Sequence, residues 1–423
     1  MSDSPSAPPA HLSTAGAAAL YIGALLGPSM LLLPGLAVRK AGPASLLVWL
    51  ALLVLSGLIA AVFSRLGIRM GSTVGAAGYT AAGLGPRAGH AAAWCFLAGV
   101  VTGAPVVCLI GGAYVAELLG GGTRAAFAAA VCLLALVLAI RLVGVRTGTS
   151  LQLALVAVLV ALVVLAVAGA APEAHAGHWT PFTPHGWSGI AGAASPLMLA
   201  FVGWEAAAPL TVRLRDPGRQ LPRVVAVAFA VTAVLYLAMA GATVAVLGPA
   251  TDGAVPLADL LRVAIGRLGP QLAAACAIAL TLAATNAYLT GAAAMAAALV
   301  RDAARGPSTL FGKSPADRRE RHGSVRIVVA IAAVSALLLG LVGAGAVTTA
   351  QLVGLPTTLF LAVYLGCMAS AARLLTGALR LAAGTACVVV LLLLALAGRP
   401  VLVALAVALV AGSRTPLSMP APV

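Results

Sequence analysis

Acidic residues are scarce: Asp and Glu number 10 in 423 residues, against 25 Lys and Arg. All charged residues together make up 8% of the chain, so it lacks the charged exterior that holds a soluble protein of this length in solution. Period-two alternation of polar and apolar residues is absent as well, which excludes a β-barrel. Aromatic residues are only 4% and do not interleave with the basic ones, so the net charge of +15 does not read as a nucleic-acid interface. Lysine is nearly missing, with only Lys40 and Lys313, a skew towards Arg that reads as base composition rather than function. The Gly-rich stretches Gly71–Gly75 and Gly120–Gly122 lack a following Lys-Ser/Thr, and no strand precedes them, so nucleotide binding is rejected. No hydrolase or transferase constellation occurs, and neither enzyme activity nor a cofactor is expected.

Metal and disulfide signals are equally thin. Cys95, Cys108, Cys132, Cys276, Cys367 and Cys387 all fall inside apolar runs, where they read as small core residues. His175, His178 and His185 lie in one Pro/Gly-rich loop near Glu173, without a Cys partner, and no metal site is assigned there.

What the chain has is apolar length. Hydrophobic residues reach 62% and the mean hydropathy is +1.10. Runs of roughly 17–25 residues match a bilayer core of about 30 Å, and a helix satisfies its backbone polar groups within one segment. The pattern predicts an all-α polytopic membrane protein of about twelve spans. They fall near 15–38, 43–65, 91–119, 125–143, 150–171, 188–212, 222–247, 270–300, 325–343, 347–371, 376–397 and 399–412. The polar, Pro-rich residues 1–14 carry no basic n-region, so the first run is expected to remain as a helix.

With the N-terminus placed in the cytoplasm, nineteen basic residues, among them Arg65, Arg69, Arg219 and Arg223, fall in inner connections. Arg39, Lys40, Arg124, Arg262, Arg267 and Arg399 are the six outer ones. That asymmetry predicts an inner-membrane protein with both termini cytoplasmic.

Two spans look broken. Gly27-Pro28-Ser29 interrupts the first, and Phe201-Val202-Gly203-Trp204-Glu205 the sixth. Breaks in corresponding positions suggest a repeat of five plus five spans, inverted because the repeat length is odd. The core then runs over 15–371 in halves 15–171 and 188–371, with two peripheral helices and a tail at 372–423. Simple kinks between packed helices are the plainer alternative.

The breaks are also the candidate site. Unwound backbone at Gly27, Pro28 and Ser29 and at Phe201, Val202, Gly203 and Trp204 offers both donors and acceptors to a zwitterion without using charged side chains. Asn286 in the eighth span is a further cavity candidate, or an interhelical hydrogen-bonding residue. Glu205 is the one carboxylate deep in a span, which marks it as functional by default. It reads either as a proton carrier or as a strut for the broken helix, with the strut favoured because it lies just past the break. Thr281 and Thr285 are a conceivable cation site together with first-span carbonyls.

Four blocks carry a family likeness: LLGPSMLLLPGLAV (25–38), GAAGYTAAGLGPRAG (75–89), GAPVVCLIGGAYV (103–115), and FVGWEA (201–206) followed by RDPGRQLPR (215–223). The chain resembles the amino acid–polyamine–organocation superfamily, especially its bacterial methionine and branched-chain amino acid exporter branch. The resemblance implies the five-plus-five inverted-repeat fold and substrate recognition at the unwound parts of spans one and six. It places Gly27 and Ser29 on the family's G-x-G, and Phe201, Gly203 and Glu205 on its F-x-G-x-E. Ser29 departs from the pattern by standing where the second glycine does. The fifth span also lacks the Lys that stands in for a cation in some proton-coupled relatives. The expected function is a secondary transporter of small neutral or apolar amino acids, with an outward direction drawn from the resemblance alone and proton or sodium coupling left open. A proton-coupled importer, an amine exchanger and a non-transporting membrane receptor or accessory subunit are the alternatives. An amino acid substrate and membrane lipid are the expected partners, nucleic acid is not, and the oligomeric state stays open.

Overall fold

A computed structural model describes residues 12–70, 75–143, 149–206, 211, 214–248, 254–304 and 317–413. Side chains within 293–304 and 317–328 lie outside that description, as do residues 305–316. Among the described residues the chain is helical and holds no strand.

Among the described residues fifteen α-helices follow one another. They are α1 (Thr14–Leu26), α2 (Ser29–Ala41), α3 (Ser45–Met70), α4 (Gly75–Leu84), α5 (Pro86–Leu118), α6 (Thr123–Val143), α7 (Thr149–Ala170) and α8 (Gly186–Leu197). After the second break come α9 (Pro217–Ala242), α10 (Pro256–Ile265), α11 (Leu268–Ala304), α12 (Asp317–Gly343), α13 (Thr349–Leu374), α14 (Gly377–Leu396) and α15 (Pro400–Ser413). Among the described residues eight helical stretches are long and apolar enough to cross a membrane, one of them Ser29–Met70, which takes in α2 and α3. Shorter apolar helices at Thr14–Leu26, Val329–Gly343 and Pro400–Ser413 complete the set. The protein is an all-α polytopic membrane protein.

Local chemistry fixes the ends. Ser13 caps α1 by accepting from the Gly16 amide, 3.1 Å away. Thr348 and Gln351 close a reciprocal capping box at the start of α13. Pro86, Pro217, Pro256 and Pro400 occupy first helical positions, where a missing N–H costs nothing. The seventh span begins at Pro217 rather than near Pro222, because the Asp216 side chain accepts from the Arg219 amide and starts the helix five residues early.

The order of elements repeats. A broken helix, a span, a short helix and three spans (α1/α2, α3, α4, α5, α6, α7) are followed by the same series (α8 with its unwound end, α9, α10, α11, α12, α13). Packing repeats with it. The short helix α4 lies on α5 and α13, and its counterpart α10 lies on α11 and α7, the matching partners. Five spans separate the two short helices, so they sit on opposite membrane faces. The last two helices pack on the outside: α14 on α13 and α3, and α15 on α5 and α13.

On the face carrying α10, Arg262 pairs with Glu117 at the end of α5 and with Asp259, 2.9 Å away. Those two carboxylates hold the guanidinium further above its usual range, with the Glu117 hydrogen bond the largest cause. Cysteine burial is uneven. Cys95, Cys108, Cys276 and Cys367 are core residues, while Cys132 is exposed and Cys387 half-buried, so those two leave the core expected of them. Exposed Val54, Val234 and Leu402 stand on the same outer surface, which suits hydrocarbon.

Candidate substrate-binding site

Both breaks are real. At Gly27 and Pro28 the chain leaves α1, makes a turn, and re-enters a helix at Ser29. Pro28 supplies no amide hydrogen, and its fixed φ of −60° suits the start of α2. The Met30 and Leu31 amides then close tight turns onto the Gly27 and Pro28 carbonyls. At the second break α8 tightens into a 3-10 turn over Met198–Phe201, unwinds at Val202 and Gly203, and resumes as a 3-10 turn at Trp204–Ala206. Gly203 has φ +141, a value that side-chain-bearing residues rarely adopt. A Cβ there would lie 3.0 Å from the Ala24 carbonyl oxygen, so this glycine also lets the two breaks approach.

Tyrosines hold the unwound backbone. The Tyr21 hydroxyl donates to the Trp204 carbonyl at 2.7 Å, tying α1 to the second break. The Tyr236 hydroxyl, on α9, donates to the Leu25 carbonyl at 3.2 Å, near the end of α1. A phenol has one proton, so in the 2.9 Å contact between Tyr236 and Ser29 the serine is the donor. That leaves the Ser29 oxygen able to accept from a ligand. Tyr114 donates to the Leu31 carbonyl at 2.8 Å. Each such bond satisfies a buried carbonyl whose neglect would cost about 1–3 kcal/mol.

Glu205 folds back on the break instead of facing the cavity. Its Oε2 accepts from the Gly203 amide at 2.9 Å and from the Tyr364 hydroxyl at 2.6 Å. Tyr364 also lies 3.2 Å from the Phe201 carbonyl. The carboxylate thus closes a ring of backbone and phenol groups around Gly203. Trp204 lies behind the same break, its indole N–H donating to Ser56 at 2.9 Å and its ring 5.4 Å from that of Tyr21. Phe201 packs against the stacked pair Trp49 and Tyr236, with ring centroids at 6.1 and 5.7 Å.

A narrow cavity of about 50 Å³ lies between the breaks. Gly27, Pro28 and Ser29 form one wall and Val202 and Leu199 another, with α5 opposite at Gly99, Gly103 and Val107. Tyr288 of α11 and Pro356 and Phe360 of α13 close it. No lining residue is charged, and Ser29 and Tyr288 are the lining side chains with a polar atom.

The cavity therefore gathers Gly27, Pro28, Ser29 and Val202 of the expected residues and leaves Phe201, Gly203, Trp204 and Glu205 as its supports. Asn286 is buried but is not on the wall. Tyr288 is there instead, two residues on, because two helical steps of about 100° turn a side chain to the other face. Thr281 and Thr285 share the Tyr288 face, against α5: the Thr281 hydroxyl is 3.4 Å from the Val107 carbonyl. Five of the six tyrosines, Tyr79 being the exception, lie inside apolar runs and were the signal that sequence reasoning passed over, since a buried phenol normally finds a partner.

Comparison with known proteins agrees with this architecture. The family model described as "Amino acid permease" matches residues 12–411. An uncharacterized amino acid permease of Bacillus subtilis, YecA, is 30% identical over 84% of this chain and 83% of its own length. The L-methionine/branched-chain amino acid exporter YjeH of Escherichia coli is 27% identical over 92% of each chain. An uncharacterized transporter of Mycobacterium tuberculosis is 28% identical over 60% of this chain. With a broken-helix fold, an uncharged central cavity and a family match across nearly its whole length, the chain belongs to the amino acid permeases of the amino acid–polyamine–organocation superfamily.

Proposed function

We propose that the protein is a secondary transporter of small neutral, apolar amino acids, working by alternating access around the two breaks and moving substrate outward. The observation that carries this reading is the uncharged cavity set between two helix ends. At Gly27-Pro28 the C-terminal end of α1 meets the N-terminal end of α2, so a negative and a positive dipole end lie side by side. The α2 end suits a substrate carboxylate, and the α1 end with the Ser29 oxygen suits its ammonium. Val202, Val107, Leu199 and Phe360 then surround an apolar side chain. A charged side chain would meet no counter-ion there, a loss of several kcal/mol. The outward direction draws on the similarity to the E. coli exporter.

In this reading residues 15–371 form the transport core, 372–423 stand at its edge, and both termini face the cytoplasm of a bacterial inner membrane. The second reading is a proton-coupled importer, favoured by one observation, the half-buried Glu205 carboxylate on the Tyr364 hydroxyl. Sodium is a weaker coupling candidate, with Thr281 and Thr285 as the residues to alter. Flux of labelled methionine, leucine, valine, alanine, lysine and glutamate in vesicles of both orientations, with and without a proton or sodium gradient, separates these readings. The proposal expects efflux of apolar substrates and none of lysine or glutamate. Equal transport of lysine, or no flux of any amino acid, overturns it.

A further inference from the structure

A second cavity, of about 490 Å³, opens on the flank of the helix bundle, away from the substrate site. It is a groove between α3, α9 and α14, contributed by three segments that reach the same membrane face: the end of α3, the start of α9 and the start of α14. Its two ends differ. One holds Arg65 beside Gly218 and Leu379, and the other runs along Ala61 and Gly57 to Phe229. Eight residues separate Arg65 from Gly57, about 12 Å along the helix axis, a length that lies within one leaflet. The small residues leave the channel open. A Cβ on Gly57 would touch the Phe229 ring at 3.3 Å, so this pair forms the closed end.

Charge is unbalanced at the open end. Arg65 is exposed and, among the described residues, takes part in no ion pair, and the same holds for the exposed Arg223 one position past the groove-lining Pro222. Asp216, the carboxylate nearest to Arg223 in sequence, is turned to Arg219 at 3.8 Å. An unpaired guanidinium at the interfacial end of an apolar channel matches an anionic headgroup attached to a hydrocarbon chain. Snorkelling alone accounts for the position of Arg65 but not for a channel beneath it.

We propose that this groove binds one anionic phospholipid, its phosphate on Arg65 and an acyl chain lying along Ala61 and Gly57 as far as Phe229. The bound lipid joins α14 to α3 and α9 across a gap that no side chain fills. The assignment stands apart from substrate identity and direction, because it concerns the arginine-rich face and not the central cavity.

Thermal unfolding of the purified full-length protein in a neutral detergent tests it, with phosphatidylglycerol, phosphatidylcholine or inorganic phosphate added in turn. Phosphatidylglycerol is expected to raise the midpoint, and the two controls are not. Arg65→Gln, an exposed change that leaves the fold intact, should weaken the apparent lipid affinity about fivefold, the worth of one basic residue at an anionic surface. Ala61→Leu should weaken it with Arg65 still present, by filling the channel. Arg124→Gln, on the other face, should leave it unchanged. An equal shift with phosphatidylcholine, an equal shift with inorganic phosphate, or an undiminished shift in both Arg65→Gln and Ala61→Leu overturns the proposal. Native mass spectrometry of the same variants gives the stoichiometry, one lipid expected per chain.

Discussion

The Tyr21 hydroxyl donates to the Trp204 carbonyl at 2.7 Å, across 183 positions of sequence, and so one broken helix supplies the hydrogen bond that the other lacks. Tyr21→Phe keeps the ring against Trp204 and removes the hydroxyl that makes that bond. The Trp204 carbonyl is then buried without it, at a cost of about 1–3 kcal/mol. A lower melting temperature and slower transport are expected, read by thermal unfolding and by vesicle flux. An unchanged melting temperature would mean that the two breaks hold together without this bond.

Gly103 and Gly203 are both glycines near the cavity, and they should respond oppositely to alanine. Gly103 sits inside α5 and lines the cavity, and an added Cβ would come no closer than 3.7 Å to Pro356. Gly103→Ala should therefore keep or raise stability, by up to about 1 kcal/mol from helix preference, while narrowing the cavity. Transport of leucine and methionine should fall more than transport of alanine.

Gly203→Ala meets two penalties at once, a φ of +141 and the Ala24 oxygen at 3.0 Å. Strain of about 1–3 kcal/mol is expected, with loss of transport for every substrate alike. Thermal unfolding beside a substrate panel distinguishes this uniform loss from the size-selective loss expected of Gly103→Ala.

Glu205 accepts from both Gly203 and Tyr364, an arrangement that a glutamine oxygen can reproduce. Glu205→Gln should fold and keep pH-dependent transport. Glu205→Ala should lose about 1–3 kcal/mol of stability, because it leaves the Gly203 amide with only the longer bond to Tyr364 and takes away the phenol's acceptor. Flux measured from pH 5.5 to 8 decides the role: a flat profile in the glutamine variant would make Glu205 a proton carrier.

The spans and both breaks were legible because each rests on local chemistry. Apolar length against bilayer thickness sets the first, and Gly27-Pro28 and Val202-Gly203 set the second. The far walls of the cavity were not legible, since Gly99, Gly103, Pro356 and Phe360 come together only when α5 and α13 pack. Asn286 was expected at the cavity and Tyr288 stands there, a helical phase that polarity cannot reveal when both neighbouring faces are buried. Glu205 stands out in the sequence as a carboxylate deep in a span, but its partner Tyr364 lies 159 positions away and no local pattern points to it.

The bonds between the halves also set the order in which the chain becomes whole during insertion. The Leu25 carbonyl near the end of α1 receives its proton donor from Tyr236, 211 residues later. At about 5–20 residues per second of synthesis, that wait is on the order of ten to forty seconds. Throughout it the first span lies in lipid with an unpartnered carbonyl, a state that costs several kcal/mol unless water or another protein covers it. The amino-terminal half therefore completes its own hydrogen bonding only once α9 has been made.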